Sequence, residues 1–346
     1  MQEGLLQLLH KKNFSTEIME KIMWEMMTGQ VPPVRIAAFL TGMHMKGETV
    51  DEIIAAAKVM RSLRTCVQID DPDIIDVVGT GGDGANLFNV STASAFICAA
   101  AGAKVAKHGN VSFSSQSGSA NLLMEAGVNI KLNAEQVKQC IEELNIGFMF
   151  APCYHSAMRH VGEVRKLLGF RTFMNLLGPL TNPANARRHL IGVYEKSLCR
   201  VVAEVLTKLG SCHVMVVHSE DGLDEISPVK KTFVVESHNG HIRDYMLDPA
   251  DYGIQHTDLQ GLIVNSPTTS LTLVQQALTG GHQKAADMLM LNAGAALYVA
   301  GTAASLKEGI NLAKEVVHSG SAATLLQKLA KLSQQLGSLP EQENKK

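Results

Sequence analysis

The run DVVGTGGDGANLFNVSTASAFICAAAGAKVAKHGN, residues 76 to 110, limits the possible folds more than any other stretch. It sets a glycine turn directly behind an apolar segment and follows it with a helix start and a second short apolar segment. Asp76 to Val78 close a β-branched run, Ile74–Val78, that reads as a buried strand, and Gly79, Gly81, Gly82 and Gly84 come at once after it. Glycines at such a turn bring main-chain N–H groups to a ligand with no side chain in the way, and they accept positive φ where the chain curls. Next, Asn89-Val90-Ser91-Thr92 offers side-chain oxygens and free N–H groups at the start of an alanine-rich helix, where the helix dipole favours an anion. Ser91 taken alone reads first as an N-cap. Two anion-receptive segments so close together point to a phosphorylated ligand.

The spacing Gly79-x-Gly81-x-x-Gly84 is also the dinucleotide pattern, so a nicotinamide-dependent dehydrogenase is a rival reading. In that fold the helix opens inside the glycine motif, and an acid about twenty residues on holds the ribose diol. Here the helix is expected to begin near Val90, and the second short strand, Lys104–Ala106, runs into Lys107-His108-Gly109-Asn110. A basic loop at that place suits phosphate. The rival survives only with a 2′-phosphate cofactor held by Lys107.

The first 65 residues carry helix punctuation alone. Ser15 caps a helix that stops at Gly29, Pro32-Pro33 opens another that ends near Gly47, and Thr49 with Glu52 forms a capping box for a third. Met19, Met23, Met26 and Met27 read as core or interface, not as a cofactor box. From residue 70 strands alternate with helices: Ile74–Val78, Lys104–Ala106, Ile146–Phe150, Leu190–Val193 and Val214–Val217 are each followed by a turn and an amphipathic segment. That order predicts an α/β fold with a mostly parallel central sheet, preceded by a small all-helical N-terminal domain. Asn239-Gly240, between 231–236 and 241–246, predicts an antiparallel hairpin. The segment 271–336 reads as helices, and the tail from Pro340 is polar. Residues 155–186, with a helix over 158–168, interrupt the alternation and are expected to pack back onto helical residues 1–70, leaving 71–154 and 187–346 as the α/β domain.

Composition excludes several classes. A net charge of −2 with 18% charged residues gives no basic face for nucleic acid. Cys66, Cys98, Cys140, Cys153, Cys199 and Cys212 form no C-x-x-C pair, so neither zinc nor a disulfide framework is indicated and a cytoplasmic location is expected. No signal-peptide layout or apolar run of roughly 18 residues is present, so no membrane role is expected. The serine-rich loop 112–119 sits too deep in the domain for a tether, and its hydroxyls suit a phosphate monoester.

The ordered set of motifs resembles the anthranilate phosphoribosyltransferases. It comprises Gly79-Thr-Gly-Gly-Asp-Gly84, Asn89-Val-Ser-Thr92, Lys107-His-Gly-Asn110, Ser114-Ser115 and Gly118-Ser119-Ala120, then Ala151-Pro152, His155, Val164-Arg165, Arg171-Thr172, Asn175 to Leu180, Asn182-Pro183-Ala184 and Asp221 to Glu225. The resemblance implies a two-domain homodimer that joins 5-phosphoribosyl 1-pyrophosphate (PRPP) to anthranilate with Mg²⁺ in tryptophan biosynthesis. It implies that Gly79, Gly82, Asp83, Asn89, Val90, Ser91 and Thr92 hold PRPP together with Lys107, His108, Gly109, Asn110, Ser114, Ser115 and Ser119. Anthranilate would meet Gly79, Asn110 and Arg165, with His155 along its access path, and Ser91, Asp224 and Glu225 would reach Mg²⁺. Read without the family, Asp224-Glu225 are two surface acids and Arg165 is an exposed helix arginine. No catalytic base is assigned; His108 is the one candidate, and it serves equally as a phosphate donor. Leu87, Val111 and Asn121 depart from the family's usual hydroxyl, Arg and Asp. A pyrimidine-nucleoside phosphorylase and a non-catalytic nucleic-acid-binding relative are the remaining alternatives.

Overall fold

A computed structural model describes residues 1–111 and 116–338. Ser114 and Ser115 of the serine loop, and the polar tail from Pro340, lie outside the described residues.

Four helices open the chain: α1 (Gln2–Leu9), α2 (Thr16–Met27), α3 (Pro33–Lys46) and α4 (Val50–Leu63). Their ends are set by the residues that punctuate the sequence. The Ser15 hydroxyl accepts from the Ile18 N–H, Pro33 occupies the first turn of α3, and Thr49 and Glu52 close a reciprocal capping box. The α/β portion follows as β1 (Ile75–Gly79), α5 (Val90–Ala100), β2 (Val105–Gly109), α6 (Ser119–Glu125), α7 (Ala134–Leu144) and β3 (Ile146–Phe150). After a short α8 (Ala151–Tyr154) come α9 (Arg159–Leu168) and α10 (Met174–Leu180), then β4 (Arg188–Gly192), α11 (Ser197–Lys208) and β5 (His213–Ser219). The chain ends with β6 (Thr232–His238), β7 (His241–Leu247), α12 (Pro267–Ala277), α13 (Gln283–Ala300), α14 (Leu306–Ser319) and α15 (Ser321–Gly337).

Seven strands form one sheet in the order β3-β2-β1-β4-β5-β6-β7. The first five are parallel, and β6 and β7 extend the sheet antiparallel through the Asn239-Gly240 turn, where both residues have positive φ. Strand order reverses between β1 and β4, so a crevice opens beyond the carboxyl ends of these two strands.

Two cores hold the molecule. One lies between the sheet and α5, α13 and α15. The other joins α2, α3 and α4 to Val161, Val164, Phe173, Leu176 and Leu177, and continues under α11 onto the opposite face of the sheet. One expectation needs correction. Lys107, His108 and Gly109 are not in a loop but inside β2, which begins one residue later than its apolar pattern predicts and ends three residues later. Their polarity hides the strand in the sequence, and their burial is decided by what packs on them.

Candidate active site

Asp224 organises the crevice. It follows β5 in a loop and is buried, and its side chain stands where β1 and β4 end in Gly79 and Gly192. A Cβ on Gly79 would come within 2.5 Å of Asp224 Oδ2, and one on Gly192 would overlap the Asp224 carbonyl oxygen. Both positions are therefore glycine to admit an acid, which differs from the expectation that Gly79 is bare for the sake of a phosphate. The Asp224 carboxylate accepts the Gly81 N–H at 2.7 Å, and Glu225 accepts the Ser91 N–H at 3.1 Å. The adjacent acids thus join the glycine turn to the start of α5.

The turn itself is built for anions. Gly81, Gly82 and Gly84 have φ of 66°, 86° and 76°. The Thr80 and Gly81 amides are engaged, whereas the N–H groups of Gly82, Asp83 and Gly84 have no partner among the described residues. Successive free amides of this kind form an anion-binding concavity. The start of α5 is less free than its sequence implies. Val90 donates its amide to the Phe88 carbonyl and Ser91 donates to Glu225. The N-cap position belongs to Asn89, not Ser91, and the Thr92 hydroxyl is buried without a partner.

Charge in the site is unbalanced. Loss of hydration, with Asp83 next to it, raises the Asp224 carboxyl above the usual range; loss of hydration together with Asp224 raises Glu225. Lys107 is a cation that acts on Glu225. It is 2% exposed, and its ammonium donates to the Val77 carbonyl at 2.5 Å and to the Ser91 hydroxyl at 3.4 Å. Burial pulls its pKa down while Asp76 and Glu225 pull it up. One lysine cannot neutralise three carboxylates, and this oxygen donor set fits a hard divalent cation such as Mg²⁺. Among the described residues, only His213, Glu236 and His238 place three ligand atoms within 4.8 Å of one another. Both Glu236 oxygens are already taken there, by His213, Tyr298, Arg243 and Tyr245. That cluster is a hydrogen-bond network that ties β5, β6 and β7 to α13.

The other expected residues form two further groups. Asn89 takes the Ser117 and Ser270 hydroxyls on its side-chain oxygen, at 2.8 and 2.7 Å, and donates to the Ser117 carbonyl. Ser119 donates to the Asn110 carbonyl at 3.3 Å and fills the space beside Gly109. His108 and His155 pack ring to ring, 5.0 Å apart. His108 Nδ1 lies 3.1 Å from the Gly178 carbonyl, which fixes the proton on Nδ1 and leaves Nε2 a buried, unpartnered acceptor. Burial pushes its pKa down to about 3, so it is neutral at pH 7 and offers no side-chain N–H to a phosphate. His155 falls to about 4 for the same reason. Arg165, in the last turn of α9, is half-buried and has no hydrogen bond or ion pair among the described residues. An unpaired guanidinium held this way is a receptor for a carboxylate.

Sequence reasoning gave no role to Asp76, Ser270 or Arg171. Arg171 stacks on Tyr194 at 4.1 Å and lies 3.6 Å from the place a Cβ would take on Gly82. Its only sequence signal is its motif with Thr172. Ser270, in the first turn of a C-terminal helix, has none.

The sequence matches two family models, "Glycosyl transferase family, helical bundle domain" over residues 2–63 and "Glycosyl transferase family, a/b domain" over residues 71–323. It is 51% identical over 337 residues to the anthranilate phosphoribosyltransferase of Ectopseudomonas mendocina, covering 96% of this chain and 97% of that protein. It is 50% identical to the one of Cellvibrio japonicus, covering 97% and 99%. Among solved structures, the anthranilate phosphoribosyltransferase of Thermus thermophilus superimposes with a TM-score of 0.90 at 40% identity over 96% of this chain and 99% of that one. The Saccharomyces cerevisiae enzyme in complex with PRPP and Mg superimposes with a TM-score of 0.87 at 28% identity, covering 97% and 98%. The dehydrogenase reading falls with these matches, and with the burial of Lys107 that would have held its cofactor.

Proposed function

The chain belongs to the anthranilate phosphoribosyltransferases of this glycosyl transferase family, and from that premise we propose how its crevice transfers the phosphoribosyl group of PRPP to the amine of anthranilate. The amine nitrogen bonds to the anomeric carbon as the bond from that carbon to pyrophosphate breaks, with inversion and an oxocarbenium-like transition state. The nitrogen, now positively charged and acidic, then gives its proton to water. The observation that carries this reading is the seat of Asp224 between Gly79 and Gly192, bonded to the turn whose next three amides are free.

The free amides of Gly82, Asp83 and Gly84 receive the departing pyrophosphate, and Asn110, Ser119 and the serine loop complete the phosphoribosyl site. Ser91, Asp224 and Glu225 would hold Mg²⁺, which would supply positive charge to the leaving group. Arg165 grips the anthranilate carboxylate and so orients the amine, and Gly79 and Asn110 flank the ring. An aromatic amine carries its lone pair at pH 7, so orientation and electrostatics supply most of the acceleration. The neutral His108 fits an acceptor role beside the ring better than a phosphate contact. Residues 1–70 with 155–186 form a helical unit that carries the dimer contact, and 71–154 with 187–346 form the α/β unit.

Loss of anthranilate fluorescence on adding PRPP, with and without Mg²⁺, tests the reading. We expect Mg²⁺-dependent decay. Arg165→Ala raises the KM for anthranilate ten-fold or more, since an Arg–carboxylate contact contributes about 2 kcal/mol or more. Asp224→Asn with Glu225→Gln abolishes the Mg²⁺ dependence. Steady fluorescence in the unmodified protein with both substrates and Mg²⁺ present would sink the proposal.

A further inference from the structure

Strands β1 and β2 share a single Cα pair, Ile75 with Val105, whereas β1 pairs with β4 along all five residues. In a regular parallel ladder the next rung would run through main-chain groups of Val77, Ala106 and His108. Here the strand register stops at Ile75 and Val105, and three of these groups are held by side chains. The His108 N–H donates to Asp76 Oδ1 at 3.2 Å, the Val77 carbonyl accepts the Lys107 ammonium, and the Ala106 carbonyl accepts Asn182 Nδ2 at 2.8 Å. The same Asn182 nitrogen donates to Asp76 Oδ2 at 2.7 Å. Asp76 is fully buried and Asn182 is 2% exposed, so these bonds are shielded from water. Polar side chains have replaced a rung of the sheet.

We propose that Asp76 is a positioning residue that, with Lys107 and Asn182, holds β1 and β2 apart so that Gly79 and Asn110 stand on opposite walls of a slot wide enough for an aryl ring. Paired strands lie about 4.8 Å apart, and a ring sandwiched between two walls needs about 7 Å, two van der Waals contacts deep. A zipped β1/β2 ladder would close that slot. Asp76 touches no reacting atom in this scheme; it acts through the paths of the Gly79 turn and of Lys107 to Asn110. The inference rests on the anthranilate site proposed above and adds the reason why the two strands that line it do not pair.

The test is Asp76→Val, which removes the bridge and supplies a residue that suits a closed strand pair. Anthranilate KM is expected to rise at least ten-fold and PRPP KM less than three-fold, while Asp76→Asn, which keeps an acceptor for the His108 N–H, stays within about three-fold of the unmodified enzyme. Equal rises in both KM values, or a folded Asp76→Val with unchanged anthranilate KM, would overturn the proposal. If Asp76→Val does not fold, Asn182→Ala decides: it frees the Ala106 carbonyl and should raise anthranilate KM three-fold or more, and no change refutes the idea. Hydrogen exchange at the His108 amide gives a readout that needs no turnover. Strong protection in the unmodified protein that collapses in the variant supports the bridge, and equal exchange in both refutes it. A protein that never consumes anthranilate yet shows this protection change would overturn the proposed function and leave the bridge standing.

Discussion

A methyl group at position 79 would stand 2.5 Å from Asp224 Oδ2. Gly79→Ala must therefore push the carboxylate off the turn amide that fixes it, and the backbone there needs no glycine for its own sake because its φ is not positive. The Mg²⁺ concentration for half-maximal turnover should rise ten-fold or more in Gly79→Ala, with the unfolding midpoint in urea little changed; a proportional loss of both would mean simple misfolding. His189 gives a second residue-level expectation. It sits in β4 fully buried, with both ring nitrogens unpartnered, and burial pushes its pKa down to about 3. Unfolded, it would titrate near 6.5, so between these values the unfolded chain binds the extra proton and stability falls as pH drops. The contribution is fully present above about pH 6.5 and is lost toward pH 3, at about 1.4 kcal/mol per unit. His189→Leu should flatten the decline measured by urea unfolding at pH 7 and pH 5 by about 2 kcal/mol. An unchanged slope would show that the ring is hydrated. Neither residue's part could be read from its neighbours in the chain: Gly79 looked like a phosphate glycine, and His189 follows Arg187 and Arg188, just outside the apolar run 190–193.

Helix α4 shows how much an element can draw from a few side chains. Its N-terminus is closed by the Thr49–Glu52 box, but Glu52 does more than cap. One oxygen accepts the Phe14 amide at 2.8 Å, and the other accepts the Thr49 amide at 2.9 Å and the Lys46 ammonium at 2.8 Å. The carboxylate and the lysine are both buried, so the α1–α2 connection, the end of α3 and the start of α4 meet on one anion. Thr49→Ala should cost about 1 kcal/mol in urea unfolding, as a lost cap does. Glu52→Ala should cost about 3 kcal/mol or more, since it takes the counter-charge from a buried ammonium, which keeps only Asn13 and the Gly47 carbonyl, and the acceptor from two amides. Equal losses would reduce Glu52 to a local cap. The Thr49 box was legible because capping is a four-residue pattern. The reach of Glu52 back to Phe14 was not, because 38 residues of chain lie between them. Strand β2 repeats the lesson: an apolar pattern marks its start, while Lys107 and His108 are polar residues that the tertiary surroundings bury.

Across the whole molecule, apolar side chains are left in water on the helical unit. Leu9 is 78% exposed and Val34 75%, on helices α1 and α3 that pack side by side. Large apolar groups left exposed on one unit are what an association surface would cover. Leu9→Glu with Val34→Glu should convert the proposed dimer to a monomer in sedimentation equilibrium, and an unmodified protein that sediments as a monomer would refute that proposal outright. The order of strands and helices, the glycine turn, the caps and the Asn239-Gly240 hairpin were determined by sequence alone. Each of these depends on backbone freedom or on periodicity, which act over a handful of neighbouring residues. The family, too, was legible, because its motifs keep their order along the chain. The tertiary structure alone decided that Asp224 fills the gap between two glycines, that Lys107 turns inward and that β1 and β2 part after one rung. The Gly81–Asp224 bond spans 143 residues. Contacts of that range arise when strand order and helix packing bring distant segments into one low-dielectric interior, where a polar group must find a partner or go without.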